Sequence, residues 1–302
     1  RPPVASAPIR VAVCTFENRN EDPRLKKVDQ RDYLASLVEE RLKEISYLQV
    51  LPRQKAGALA RGADFTLRGE YLTLVNGRYR LGLRLIGPDG AAVASWSDET
   101  TSWRALVMDS REIEPGEGAA DRQAPEDRRS LVTALTADVA RELLRHYTLR
   151  QLAALHGSPG AVVAAIRLDP RQDAYKTGEQ VSVFVTPETD CHVTALHVRA
   201  GGSVRLLAPP DQESTEAKAK TETLVGGQPL AVRAILPAGE EESRVCLFLT
   251  REPVRLPPEA RGARTPEEQL RLVQALYEAL KALPADAWSD REMAARIVPA
   301  TP

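Results

Sequence analysis

Hydrophobic and polar positions alternate most regularly between residues 58 and 100, ALARGADFTLRGEYLTLVNGRYRLGLRLIGPDGAAVASWSDET. The pattern predicts a three-stranded antiparallel meander. Its middle strand places Tyr79, Leu81, Leu83 and Leu85 on one face and Arg78, Arg80 and Arg84 on the other. A period of two means one buried face and one solvated face. Asn76-Gly77 predicts a type I′ hairpin, with both central residues at positive φ. Gly87-Pro88-Asp89-Gly90 predicts the second turn, and a strand is expected from residue 91 to 96.

Upstream, residues 9–16 (IRVAVCTF) form a nearly continuous apolar run, as expected of a strand covered on both faces. A helix is predicted over 30–47, where Leu34, Leu37, Val38, Leu42 and Ile45 recur at helical spacing and Asp29 can cap the start. A short strand over 48–51, stopped by Pro52, and an Ala-rich helix over 54–61 are expected next. Residues 109–127 lack periodicity and carry Gly, Pro and charge, which predicts a long loop. A long amphipathic helix over 130–155 follows, ended by Gly157-Ser158-Pro159-Gly160.

Beyond that stop the rhythm changes. Short β-rich runs at 162–168, 180–186, 192–199, 203–208, 230–236 and 244–250 predict a β-sandwich. The charged stretch 211–221 predicts a second loop. Two helices are then expected in the tail. Thr265-Pro266-Glu267-Glu268 is a capping box with Pro at the first helical position, and Leu270, Val273, Leu276, Tyr277 and Leu280 form an apolar stripe. That stripe is expected to pack on the first domain or at the seam between the domains. Ser289-Asp290-Arg291-Glu292 reads as a second capping box, with Trp288 and Met293 at staple spacing.

These elements predict an α+β chain: a tether at 1–8, an α/β domain at 9–156 with a mixed sheet and an antiparallel meander, a β-sandwich-like domain at 161–256, and a short helical tail at 264–299. Composition narrows the function. The 302 residues carry a net charge of −1, which steers the molecule toward neither nucleic acid nor anionic lipid. Aromatic residues are 5%, too few to suggest a platform of stacked rings. No apolar run approaches the ~20 residues of a membrane span. The opening RPPVASAP reads as a tether left by removal of a signal segment, or as a chain cut at a domain edge, which leaves the same trace.

Candidate chemistry is sparse. No phosphate loop and no dinucleotide fingerprint is present. Cys14, Cys191 and Cys246 are too few for a disulfide framework; the last two fall on predicted strands of one domain, so they are either bridged or two separate buried thiols. Cys191 and His192 are adjacent on a strand and so point to opposite faces. Cys191 and His197 share a face but lie ~20 Å apart, too far for a nucleophile and its base. The turn run Glu240-Glu241-Glu242 is expected to be solvated. No catalytic, cofactor-binding or metal-ligating residue is therefore assigned, and the chain is expected not to be an enzyme. Arg68, Arg78, Arg80 and Arg84 can form a basic strip on the exposed face of the meander, and they are the candidate partner-binding residues.

Residues 9–147 resemble a family of bacterial envelope proteins that includes the amino-terminal domain of the Tol translocation protein TolB, the curli-secretion lipoprotein and the lipoprotein activators of peptidoglycan synthases. The residues that carry this are IRVAVCTFEN, RDYLASLVEERLKE, YLQVLPR, ARGADFTLRGEY and GAAVASW. The segment between Pro52 and Ala58 is shorter than the family's helix there. The second half resembles a bacterial domain family of unknown function found in exported and signalling proteins. That likeness rests on AYKTGEQVSVFV, CHVTALHVRAGGSVRLLAPP and LPAGEEESRVCLFLTREP. The resemblance implies a periplasmic or outer-membrane-anchored protein that scaffolds or regulates an envelope assembly through contacts with other envelope proteins. It implies no cofactor, no nucleic acid, and membrane contact only through an amino-terminal lipid anchor; it leaves an oligomer open. The alternative is an accessory sensor that binds a ligand in a cleft between its two domains.

Overall fold

A computed structural model describes residues 7–22, 30–74, 76–107, 130–172, 174–176, 178–199, 201–208, 223–224, 230–235, 242–258 and 262–298. The predicted loops at 109–127 and 211–221, the cap Asp29, Glu240 and Glu241, and the first six tether residues lie outside them. The described chain is α+β and forms two compact units, divided between Tyr147 and Thr148.

In the first unit the strands are β1 (Ile9–Cys14), β2 (Glu17–Asn18), β3 (Leu48–Gln54), β4 (Phe65–Thr73), β5 (Tyr79–Ile86) and β6 (Ala92–Thr100). The helices are α1 (Arg31–Lys43), α2 (Trp103–Val107) and α3 (Leu131–Ala154), the last running seven residues past the division. The sheet order is β3-β1-β4-β5-β6, with β2 also on β4. β1 is parallel to β3 and β4, as a strand–helix–strand crossover requires, whereas β4, β5 and β6 are antiparallel. The sheet is therefore mixed. One face is buried under α1 and α3: Leu34, Val38 and Leu42 of α1 and Val132, Val139 and Leu143 of α3 pack with Val11, Val13, Leu67, Leu81, Leu83 and Leu85.

Three local expectations change here. Residues 55–64 form turns rather than an Ala-rich helix, because Gly57 and Gly62 each take φ 77°, which a helix excludes. β3 runs through Pro52 to Gln54. It is an edge strand, so the missing proline N–H costs no ladder bond. The β4–β5 turn is not type I′, since Gly77 is at φ 75° and no described non-glycine residue has positive φ. Leu74 N–H donates to Arg78 O and Gly77 N–H to Leu74 O, closing a three-residue loop whose last position is left-handed. The β5–β6 turn repeats the design with Gly90 at φ 85°.

In the second unit the strands are β7 (Ala164–Asp169), β8 (Tyr175–Lys176), β9 (Gln180–Pro187), β10 (Cys191–Arg199), β11 (Val204–Ala208), β12 (Thr223–Leu224), β13 (Leu230–Ile235), β14 (Glu242–Thr250) and β15 (Trp288–Val298), with α4 at Pro266–Ala282. A sheet of order β11-β10-β14-β15-β8, with β12 also on β10, accompanies a three-stranded sheet β13-β9-β7. Val183 and Val185 of one meet Val193, Val245, Leu247 and Leu249 of the other in a sandwich core.

The larger sheet's opposite face carries α4. Leu272, Val273, Leu276 and Leu280 pack on Leu196, Val198, Leu206 and Phe248, joined by Leu149, Leu152 and Leu155 from the end of α3 and just beyond it. Those three leucines explain why the unit division falls inside α3 and not at residues 157–160. The tail helix thus buries its stripe, each large side chain contributing about 1.5–3 kcal/mol before ordering costs. It does so on the sandwich of its own unit. The Thr265 capping box is formed: Thr265 Oγ1 accepts from Glu268 N–H (3.2 Å), and Glu268 Oε2 accepts from Thr265 N–H (3.0 Å).

The second tail helix predicted at Ser289 is instead β15, paired with β14 from Trp288 to Arg296. Period-two alternation wins over the S-x-x-E cue. Ser289 is fully buried and donates to Val162 O (2.8 Å) instead of capping a helix. Trp288 enters the core on the α4 face while Met293 packs in the sandwich core, so the two do not staple.

Candidate partner-binding face

The face of the first sheet away from α1 and α3 is set by strand register. Opposite residues in an antiparallel pair project together with Cβ atoms roughly 4.5–5.5 Å apart. Leu72, Arg80 and Glu99 therefore form one row across β4, β5 and β6; Glu70, Gly82 and Ser97 form the next; Arg68, Arg84 and Ser95 form the third. The four arginines named from sequence are thus divided into two pairs by the Gly82 row. They share one face but do not make one continuous strip.

Arg78 and Arg80 converge on Glu99. Arg80 Nε donates to Glu99 Oε1 at 2.9 Å and Arg80 Nη2 bonds the same oxygen, while Arg78 Nη1 lies 3.4 Å from Oε2. Hydrogen bonding to Arg80, with the positive charges of Arg80 and Arg78, holds the Glu99 carboxyl below its usual range. In the middle row Glu70 lies over Gly82, where a Cβ would stand 3.1 Å from Glu70 Cγ. Arg19 joins Glu70 to Glu17 across the parallel β2–β4 pair (Nε to Glu70 Oε2, 3.1 Å; Nη2 to Glu17 Oε2, 2.7 Å). At the far strand Arg10 is paired with Asp64 (3.3 Å).

Arg68 and Arg84 are directly opposite each other, and no described carboxylate forms an ion pair with either. Arg68 Nη2 donates to Gly57 O at 2.6 Å, which ties the 55–63 segment over β1 and β4, and its Nε is buried without a hydrogen-bond partner. The same segment brings Ala58 O to 3.5 Å from Cys14 Sγ and Ala60 N–H to Thr66 Oγ1 (3.2 Å). Arg84 and Ser95 are exposed.

Among the described residues, no hydrogen bond joins Cys191 to His192 or His197. Cys191 is buried on the sandwich face of β10, and burial, reinforced by Asp190, pushes its thiol up to about 11. Cys246 packs on the α4 face of β14 and is held up at about 12, chiefly by burial. The two are free thiols on opposite faces of one sheet, which rules out a bridge between them. His197 is buried with Ser243, its Nε2 hydrogen-bonded to the hydroxyl. Burial first, then Arg199 and Arg205, lowers its imidazole to about 4. Sequence reasoning missed this pairing because Ser243 stands next to the acidic run read as a turn. Among the described residues no group of three or more His, Cys, Asp and Glu side chains is placed to hold a metal ion. No helix among them is long and apolar enough to cross a membrane.

No family model matches the chain, and no curated protein matches it. Among solved structures it is similar to the crystal structure of the Reelin-N domain of F-spondin, at 14% identity, over 30% of this chain and 73% of that one, with a TM-score of 0.22. A likeness of that size supports no inference about function.

Proposed function

We propose that the protein is a non-enzymatic component of the bacterial cell envelope, periplasmic or held at the outer membrane, that scaffolds or regulates an assembly through protein–protein contacts. The observation that carries the reading is the uneven dressing of the first sheet. One face is closed by α1 and α3, whereas the other presents paired charges, two arginines with no described acidic partner and exposed serines. A charged sheet face of this kind is suited to a protein surface rather than to a small molecule, which calls for a concave, largely apolar site. The envelope address rests on the resemblance of residues 9–147, with the order strand, helix, strand, meander and long helix supporting it.

Fractionation of the cells that make the protein tests this reading. The protein is expected in the periplasmic or outer-membrane fraction, in complexes larger than the chain alone. Recovery in the cytosol as a free chain would overturn it.

A further inference from the structure

We propose that Arg68 and Arg84 together receive a carboxylate side chain from a protein partner, with Leu59 taking an apolar side chain of the same segment; this rests on the scaffold reading above and names the chemistry of its contact. On this face Arg10 has Asp64, Arg19 has Glu17 and Glu70, and Arg78 and Arg80 have Glu99. Arg68 and Arg84 face each other across β4 and β5 with no such acid, an arrangement that costs stability because like charges directly opposite repel. The carboxylates nearest along the face, Glu70 and Glu99, are already engaged by other arginines.

Arg68 is also anchored. Its bond to Gly57 O fixes one end of the guanidinium, and its Nε remains a buried donor without a protein acceptor. The N–H groups left on this anchored guanidinium, with those of a second one opposite, can donate to the two oxygens of a carboxylate. The hydroxyl of Ser95, next in the row, can donate to the same group. A polyanionic surface fits less well, since the same face also carries Glu70 in the adjacent row and Glu17, Glu99 and Asp64 farther out. Leu59 supplies the apolar half of the contact: it is 47% exposed, and its Cδ1 lies 3.5 Å from where a Cβ on Gly90 would stand, at the β5–β6 end of the face.

The test uses the full chain with its arginine Nε–Hε groups labelled for NMR. The probe is a blocked peptide of alternating glutamate and leucine. It is compared with the same peptide carrying glutamine for glutamate, with inorganic phosphate, and with phosphatidylglycerol vesicles. The glutamate peptide is expected to shift the Arg68 and Arg84 signals. Arg84→Gln, an exposed change that leaves the fold intact, should weaken it about ten-fold, and Arg80→Gln by less than about two-fold. Equal binding of the glutamine peptide, an unaffected Arg84→Gln, or stronger effects of phosphate or vesicles would each overturn the proposal. Its failure is separable from that of the scaffold reading, because localisation and complex size are measured without the peptide.

Discussion

Replacing Gly69 by alanine tests how the first core is closed. Gly69 lies in β4 on the side facing the helices, and the ring of Phe16, fully buried, rests on it. An added Cβ would stand 2.3 Å from Phe16 Cε1 and Cζ. Carbon atoms rest at about 3.5–4.0 Å, so the ring must retreat by roughly 1.2–1.7 Å. That retreat is into packed side chains, because the ring belongs to the cluster with Leu67, Leu81 and Tyr71. Overpacking of this kind costs about 1–3 kcal/mol, offset by about 0.5 kcal/mol from the smaller backbone entropy of the unfolded alanine chain. The transition of the first unit should fall by roughly 3–8 °C in calorimetry. Phe16→Leu shortens the ring away from the clash, so the double variant should be more stable than the sum of the single effects by about 1 kcal/mol. A Gly69→Ala protein that melts like the parent, or strictly additive variants, would refute the packing described.

Three further outcomes follow from the second unit. Cys191 and Cys246 should stay unreactive toward a thiol reagent at pH 8 and react only after unfolding, since burial holds both thiols protonated; fast reaction in the native protein would contradict their placement. His197 has a folded pKa of about 4 against an ordinary 6.5, so the unfolded chain binds the extra proton between these values. The stability conferred by this neutral, buried histidine is whole above pH 6.5 and is lost as pH falls toward 4; denaturant titrations should show a steeper loss over that window in the parent than in His197→Gln. Thr265→Ala removes the hydroxyl half of the α4 capping box and should cost about 1 kcal/mol in urea unfolding, and an unchanged midpoint would count against the cap.

The parts of the fold that were legible in the sequence were those in which local pattern and tertiary burial agree. Leu81, Leu83 and Leu85 alternate with polar residues and are buried as their spacing implies. The stripe of α4 and its capping box read correctly because every cue in Thr265-Pro266-Glu267-Glu268 points the same way. Where cues conflicted, the longer-range contact won. In Ser289-Asp290-Arg291-Glu292 the four-residue cap signal opposed an alternation that β14 could extend along nine residue pairs. β8 and β12 are two residues each, too short to leave any period.

On the candidate face, the alternation of Arg78, Arg80 and Arg84 disclosed which side they occupy. It could not disclose their partners. Glu99 lies on β6 beyond Trp96, past the expected end of that strand, so its bond to Arg80 was hidden. The Arg68–Arg84 opposition depends on the register of β4 with β5, fixed by the three-residue turn rather than the two-residue turn that Asn76-Gly77 suggests. The opposite facing of Cys191 and Cys246 likewise depends on how β10 and β14 pair, which no single strand contains.

The central claim is that the outer face of the first sheet docks an envelope protein, and photo-crosslinking in intact cells tests it most directly. A photoreactive amino acid is placed at Ser95 or Ser97, both exposed on that face, and at Arg271, exposed on α4 in the second unit, as the reference. The account predicts discrete adducts with cell-envelope proteins from positions 95 and 97, reduced by Arg84→Gln and absent from position 271. Adducts confined to cytosolic proteins, or the same adducts from position 271 as from 95 and 97, would contradict it.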